Sequence, residues 1–236
     1  MPLRLDQSSD GYRYSIDAFL LADFCTIPKN ATILDIGSGC GIVSFLLARI
    51  HPDSRIFGIE IQYDLVRIAE ENLKRNARLD NIRFIHGDIR DIERLFPAGS
   101  CDIAVSNPPY HSIGSGRINP HPERASARHE LKGGLGDFIR AGSAAVRSGG
   151  YFYTIYAAHR MSDLIDTCRR FKLEPKMVRT VHPRPDAEAN LVLMKAARNG
   201  RPGLRILPPL YIYKRAGEYS EECAEIAGKW DFEGKG

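Results

Sequence analysis

Cysteine is scarce in this chain and long apolar runs are missing. The 236 residues include five cysteines, an odd number, widely spaced and without a C-x-x-C pair. The sequence therefore predicts neither a disulfide framework nor a metal site. It also lacks a run of about 18 uncharged apolar residues, which a membrane-spanning helix needs, and an apolar stretch of signal-peptide length at its start. We expect reduced thiols, no membrane association and a cytoplasmic protein.

Negative charge is missing from one long segment. Residues 189–217 contain no Asp or Glu, although the whole chain carries a net charge of only +4. The basic residues of this segment are Lys195, Arg198, Arg201, Arg205, Lys214 and Arg215. A basic region of this size favours a polyanionic partner such as nucleic acid, and a solvated basic surface without a partner is the alternative.

Short apolar strands alternate with helical segments along most of the chain. The predicted order is helix 17–24, strand 31–36, helix 42–50, strand 55–60, helix 64–78, strand 82–86, a short helix, strand 101–106, helix 137–147, strand 150–156, helix 161–171 and strands 176–181 and 190–194. This alternation predicts an α/β fold with a doubly wound, mostly parallel seven-stranded sheet that ends in an antiparallel hairpin. We expect one domain over 1–236, with 1–30 and 197–236 as appendages, and ligands at the carboxyl ends of the strands.

A glycine-rich turn follows the first predicted strand. Its glycines, Gly37, Gly39 and Gly41, form a G-x-G-x-G pattern. This pattern lacks the glycine spacing of a dinucleotide site and the Lys-Ser/Thr pair of a phosphate-binding loop. Asp35, at the end of the strand, would repel a pyrophosphate and favours a cationic ligand. The sulfonium and ammonium groups of S-adenosylmethionine fit that requirement.

Two further acids follow the next two strands. Glu60 ends the second strand and Asp88 follows the third. Glu60 is placed to accept hydrogen bonds from ribose hydroxyls, and Asp88 from an adenine amine. Each acid alone is equally explained as a surface or capping carboxylate. Together with Asp35 they predict a nucleoside site at one edge of the sheet.

The fourth predicted strand runs directly into Asn107, Pro108, Pro109 and Tyr110. Because Pro109 has no N–H, it leaves the Pro108 carbonyl available to a ligand. The Asn107 side-chain oxygen supplies a second acceptor for the same amino group, and Tyr110 can stack on the attached ring. A plain Pro-Pro turn, with Asn107 as a cap and Tyr110 in the core, is the structural alternative.

With these motifs the chain resembles class I S-adenosylmethionine-dependent methyltransferases. The sequence Asn-Pro-Pro-Tyr resembles the signature of members that methylate exocyclic or amide nitrogens. The closer similarity is to the bacterial tRNA1(Val) (adenine-37-N6)-methyltransferase family, on residues 10–22, 106–110, 127–130 and 181–185. It covers the chain from about Gln7 to Tyr219 and leaves out the variable loop after Tyr110.

The resemblance implies roles for particular residues. The cofactor, S-adenosylmethionine, would contact Asp35, Gly37, Gly39, Gly41, Glu60, Asp88, Ile89 and Asn107. Tyr12 and Arg13 would fold over its methionine end. Asn107, Pro108 and Tyr110 would be the catalytic set that holds the target adenine. The implied partner is a tRNA anticodon loop, whose phosphates would contact the basic tail, Arg117, Arg124 and Arg128, and we expect a monomer.

Three other functions stay open from the sequence. A protein glutamine-N5 methyltransferase shares the Asn-Pro-Pro-Tyr signature but carries a helical domain ahead of the glycine turn, and here only about 30 residues precede that strand. A ribosomal-RNA or DNA adenine-N6 methyltransferase is a second alternative, although no inserted target-recognition domain favours a DNA enzyme. A non-catalytic RNA-binding protein is the third, and the intact cofactor motifs disfavour it.

Overall fold

The structure is a computed structural model that describes residues 3–5, 16–76, 78–109, 133–215 and 217–229. Its strands are β1 Thr32–Ile36, β2 Arg55–Glu60, β3 Ile82–His86, β4 Cys101–Ser106, β5 Val146–Ala157, β6 Leu173–His182, β7 Leu191–Arg198, β8 Arg205–Ile206, β9 Leu210–Tyr211, β10 Tyr213–Arg215 and β11 Glu218–Tyr219. Its α-helices are α1 Ile16–Phe24, α2 Ile42–Ile50, α3 Tyr63–Arg75, α4 Ile92–Leu95, α5 Leu135–Ala145, α6 Met161–Arg170 and α7 Glu221–Gly228.

The central sheet has the strand order β3-β2-β1-β4-β5-β7-β6. Strands β1 to β5 are parallel, and β7 runs antiparallel between β5 and β6. This confirms the predicted α/β fold and the terminal antiparallel hairpin. Among the described residues the sheet has nine strands instead of the predicted seven, because the two-residue strands β8 and β9 pair with the outer side of β6.

Helices cover both faces of the sheet, so its central strands are buried on both sides. All five residues of β1 are buried, as expected for a strand in a two-sided parallel sheet. One apolar cluster joins the sheet to α1 and α2 and includes Phe45 and Tyr153. The other joins it to α4, α5 and α6 and includes Phe138 and Phe152.

Described segments near both ends of the chain pack onto this domain. Leu3 and Leu5 belong to the core cluster beneath α1 and α2. At the other end, α7 contacts α1 and β9, and its Cys223 and Ile226 are buried. Strand β9 and helix α7, which lie within the expected appendage 197–236, therefore contribute buried side chains to the core. Among the described helices, none combines the length and apolar character needed to cross a membrane.

Helix α5 ends earlier than predicted. It stops at Ala145, and Val146 begins β5 by pairing with Cys101 of β4. The predicted helix continued to residue 147 because its apolar spacing continues that far. Pairing with the neighbouring strand overrides this local preference, and such non-local pairing cannot be read from a single segment.

Candidate functional site

A cleft of ≈ 250 Å³ lies at the carboxyl ends of β1, β2, β3 and β4. This is the edge at which open parallel sheets bind ligands. Seven residues expected from the sequence line it, namely Gly37, Gly39, Glu60, Asp88, Ile89, Asn107 and Pro108. Segments that are up to 71 residues apart in sequence are thus brought together because their strands are neighbours.

The glycine turn is tied to the end of β2. The N–H groups of Gly37 and Ser38 both donate to the Ile59 carbonyl, at 2.9 and 3.0 Å. Gly37 has φ +73°, and a Cβ there would lie 2.6 Å from the Phe138 ring. Gly39 has φ +58°, and no described atom lies within 4 Å of a Cβ built on it. The backbone at Gly39 therefore faces open space that a ligand can approach closely.

Gly41 does not line the cleft, although a cofactor contact was expected of it. It caps the amino end of α2 with φ +87°, and a Cβ would lie 2.5 Å from the Phe84 ring. Its missing side chain makes room for packing between the turn and β3. Gly41 therefore supports the turn through packing against Phe84, on the side away from the cleft lining.

Glu60 joins the turn to the loop after β2. Its Oε2 accepts a hydrogen bond of 2.9 Å from the Gly39 N–H. Its Oε1 accepts from the backbone N–H of Gln62 at 2.9 Å and from the Gln62 side chain at 3.3 Å. The side chain is buried but lines the cleft. Because a carboxylate has about four acceptor positions and these contacts use three of them, Glu60 retains capacity for a hydroxyl donor of a ligand.

Asp88 caps the short 3₁₀ helix that follows β3. Its Oδ1 accepts from the Arg90 N–H at 2.8 Å, and the Arg90 guanidinium spans both carboxylate oxygens at 2.5 to 3.0 Å. These hydrogen bonds lower the pKa of Asp88. Asp88 is therefore an ionised acceptor, held in one orientation in the lining of the cleft.

Asp35 lies outside the cleft lining, and this differs from the predicted direct contact with a cationic ligand. Its side chain is buried, and Oδ2 accepts a hydrogen bond of 2.7 Å from Ser44 Oγ on α2. Burial raises the pKa of Asp35 to about 7. The geometry makes Asp35 a support between β1 and α2, one residue before the last of the strand.

Asp35 should make the free protein less stable as pH rises. Its folded pKa of about 7 lies above the ordinary value of 3.8, so between these values the folded state keeps a proton that the unfolded chain has lost. The contribution is complete below pH 4 and is lost as pH rises to 7, on the order of 2–4 kcal/mol. Urea unfolding at pH 5 and pH 8 should show that Asp35→Asn lacks this component, whereas Asp53→Asn, at an exposed loop position, retains it. Equal pH dependence in wild type and Asp35→Asn would contradict the assignment.

The end of β4 is fixed to the end of β1 by a side chain. Ser106 Oγ donates to the Ile36 carbonyl at 2.9 Å within the core. Asn107 and Pro108 follow at once and line the cleft, with Pro108 buried and Asn107 half-buried. The expected roles of Tyr12, Arg13 and Tyr110, of the loop 111–128 and of its arginines lie outside the described residues and stay predictions.

Comparison with known proteins decides the family. A model described as "Methyltransferase domain" matches residues 27–182, which include β1 to β6 and the whole described lining except Asp17. The chain belongs to the methyltransferase-domain family. The fold and the cofactor class expected from the glycine turn and the strand-end acids are thereby confirmed.

Several relatives are similar along nearly the whole chain. The tRNA1(Val) (adenine(37)-N6)-methyltransferase of Porphyromonas gingivalis is 28% identical over 94% of this chain and 89% of its own length. Among solved structures, a predicted O-methyltransferase of Agrobacterium tumefaciens has TM-score 0.73 and 21% identity, covering 92% of this chain and 98% of its own. The geranyl diphosphate C-methyltransferase of Streptomyces coelicolor, in complex with S-adenosyl-L-homocysteine, has TM-score 0.58 and 15% identity, covering 77% and 78%. These structures support the class I fold of the methyltransferase.

The methyltransferase cleft also contains residues that the sequence did not point to. Asp17, at the start of α1, Gln62 and Leu65, near the start of α3, and Phe138, on α5, line it beside the expected set. Only Asp17 carried a signal, because it lies within residues 10–22 of the family resemblance. The part of the chain that the structure describes contains no group of three His, Cys, Asp or Glu side chains arranged to hold a metal ion.

Proposed function

We propose that this methyltransferase transfers a methyl group from S-adenosylmethionine to the N6 amine of adenine 37 in a tRNA anticodon loop, in the cytoplasm. One observation carries the proposal: two strand-end carboxylates, the open backbone of Gly39 and the Asn107-Pro108 pair line a single cleft. The relatives that share nearly the whole chain have the same named activity. That agreement supports adenine over other amines.

The donor and acceptor set of the cleft fits this cofactor. Glu60 offers a carboxylate beside the turn, where ribose hydroxyls can donate to it. Asp88 offers an ionised acceptor for an adenine amine, and the apolar side chains of Ile89 and Leu65 line the same cleft, where they can contact the ring. Asp17 adds a further carboxylate to the cleft lining, which suits a cationic ammonium group. The bound cofactor supplies an electrophilic methyl group.

Asn107 and Pro108 would hold the nitrogen that receives the methyl group. The amide oxygen of Asn107 and the carbonyl of Pro108 accept the two hydrogens of the amine, so its lone pair points into the cleft. These acceptors also stabilise the positive charge that develops on nitrogen as the N–C bond forms. Orienting the nitrogen for in-line displacement contributes on the order of 7–11 kcal/mol in favourable cases. The methylated cationic nitrogen then loses a proton to water, so the chain needs no ionised base.

The adenine must leave its stack to enter the cleft. Sequence-specific RNA-binding proteins mostly bind single-stranded loops, whose bases can be splayed out, and unstacking costs least where a base is already unpaired. An anticodon loop meets this requirement, whereas a paired adenine hides the amine. The family resemblance implies that Tyr110 stacks on the flipped ring.

Methyl transfer from labelled S-adenosylmethionine tests the proposal. Unmodified bulk tRNA, ribosomal RNA, duplex DNA and a release-factor extract are incubated in parallel, and nucleosides are analysed by mass spectrometry. We expect N6-methyladenosine in the tRNA alone, mapping beside the anticodon. Label in the release factor would replace the proposal with glutamine methylation, and label in ribosomal RNA or DNA would replace the substrate. The Asn107→Ala protein provides the background rate.

A further inference from the structure

The basic segment 189–217 is divided by the fold into three places. Lys195 lies within the sheet, with Nζ 3.9 Å from the centre of the Tyr151 ring. Arg201 and Arg205 lie towards the amino end of β6, where Lys176 Nζ donates to the Arg201 carbonyl and Arg205 pairs with Met177. Arg198 ends β7 at the same end of β6, opposite Leu173. The two remaining basic residues of the segment, Lys214 and Arg215, lie elsewhere.

Lys214 and Arg215 belong to a two-stranded element at the same edge as the cleft. We name residues 213–215 and 217–219 the edge hairpin. Strand β9 runs parallel to the end of β6, with Tyr211 opposite His182. Beyond it, the Tyr213 N–H donates to the Pro183 carbonyl at 2.9 Å. The edge hairpin therefore projects past the carboxyl end of β6.

The separation between the edge hairpin and the cleft suits one nucleic-acid segment. From β4, which leads into Asn107, the sheet continues through β5, β7 and β6 to β9. Four strand spacings are roughly 19 Å. A stacked strand rises about 3.4 Å per nucleotide, so this distance corresponds to about six nucleotides. Arg205 lies opposite Met177, which precedes His182 by five residues on β6. Arg205 is therefore roughly 16 Å further than His182 from the edge of the sheet at which the cleft lies.

The edge hairpin combines aromatic rings with exposed cations. Tyr213 and Tyr219 are stacked, with centroids 5.2 Å apart and ring planes at 7°, and Tyr219 is 45% exposed. Lys214 and Arg215 are exposed, and both lie within 4 Å of Glu218, at 3.9 and 2.5 Å. Exposed ion pairs contribute little to stability, so phosphates can replace Glu218 as the partner of both cations.

We propose that the edge hairpin binds the RNA that flanks the target adenine. Lys214 and Arg215 contact its phosphates, and the exposed Tyr219 ring receives a base or ribose, as in other stacking surfaces for single strands. Glu218 limits the affinity by holding the two cations. This inference rests on the proposed function and names the surface that completes the RNA site, with Arg201 and Arg205 outside it.

Four variants of the full-length chain test the surface. Binding of an unmodified, fluorescein-labelled tRNA1(Val) transcript is measured at several salt concentrations. Lys214→Gln with Arg215→Gln should raise the Kd at least fivefold and reduce the salt slope by up to about 2. The matched control, Arg201→Gln with Arg205→Gln, should change Kd less than twofold.

Glu218→Gln should tighten binding two- to threefold. If the ion pairs had a purely structural role, the same substitution would weaken binding. Tyr219→Ala should weaken binding at least fivefold.

Two controls separate the surface from folding and from the reaction. Tyr219→Phe keeps the ring and should bind within twofold of wild type, and the KM for S-adenosylmethionine should stay unchanged in every variant. Equal Kd values for wild type and the Lys214/Arg215 variant would overturn the inference, as would weaker binding by Glu218→Gln. Methyl transfer is followed in the same samples. The expected order of affinities without any N6-methyladenosine would overturn the proposed function alone.

Discussion

Replacing Asn107 by alanine is expected to lower kcat for methyl transfer to tRNA more than 100-fold, with tRNA binding nearly unchanged. The substitution removes one of two acceptors that orient the amine and stabilise its developing charge. A 100-fold loss corresponds to about 2.7 kcal/mol of barrier. Single-turnover rates at saturating cofactor, together with the Kd of the tRNA, provide the measurement.

A matched variant guards against a general effect of losing an asparagine at this edge of the sheet. Asn190 lies in the loop between β6 and β7 and is exposed, so Asn190→Ala should retain activity within twofold. Asn107→Asp keeps an acceptor oxygen of similar size and should lose less activity than Asn107→Ala. If Asn107→Ala retained most of the wild-type rate, Asn107 would have no part in the mechanism, and the acceptor role would fall to Pro108 alone.

Replacing Glu60 by glutamine should raise the Kd for S-adenosylmethionine at least 30-fold, which corresponds to about 2 kcal/mol. Glu60 accepts from Gly39 and Gln62 with separate oxygens, and an amide can replace only one of these acceptors. After the substitution, the N–H group of Gly39 or of Gln62 faces the side-chain amide nitrogen, which is itself a donor. The substitution also removes the anionic acceptor for ribose hydroxyls. Titration calorimetry of the purified protein measures the change.

The Glu60→Gln substitution should lower the stability of the fold as well as the affinity for the cofactor. We expect Glu60→Gln to lower the thermal midpoint because the turn and the loop after β2 lose a shared partner. The control is Glu71→Gln, on the exposed face of α3, where Glu71 pairs only weakly with Arg67 at 3.8 Å. It should leave both quantities unchanged. A wild-type Kd for Glu60→Gln would show that ribose hydroxyls are bound elsewhere.

The cofactor half of the site follows from local patterns. Strands β2, β3 and β4 and helix α2 have the bounds that the apolar spacing predicts. Since parallel strands bring their carboxyl ends to one edge, residues that directly follow these strands, such as Asp88 and Asn107, meet at one cleft. The family resemblance agrees with this reading. Its assignments for Tyr12, Arg13 and Tyr110 remain to be tested by substitution.

Side-chain direction could not be inferred in the same way. Asp35, the penultimate residue of β1, is hydrogen-bonded to Ser44, whereas Glu60, the last residue of β2, lines the cleft. The register pairs Asp35 with Gly58, so the alternation along a strand gives Asp35 and Glu60 the same face. Whether such a side chain meets a helix or a ligand depends on what packs there. Tertiary packing also separates the roles of Gly39, whose backbone faces the cleft, and Gly41, which packs against Phe84. The sequence pattern of the turn could not show this, because Phe84 comes from a distant strand.

By itself the sequence determined the α/β class, the parallel order of its elements, the glycine turn and the residues that follow each strand, since all of these depend on local spacing and turn chemistry. The tertiary structure alone decided which acids reach the cleft, how Asp17 and Phe138 join it, and where each part of the basic segment lies. These features depend on contacts between residues far apart in the chain. One run of positive charge therefore ends at three separate places, and only Lys214 and Arg215 lie at the edge where the methyltransferase cleft opens.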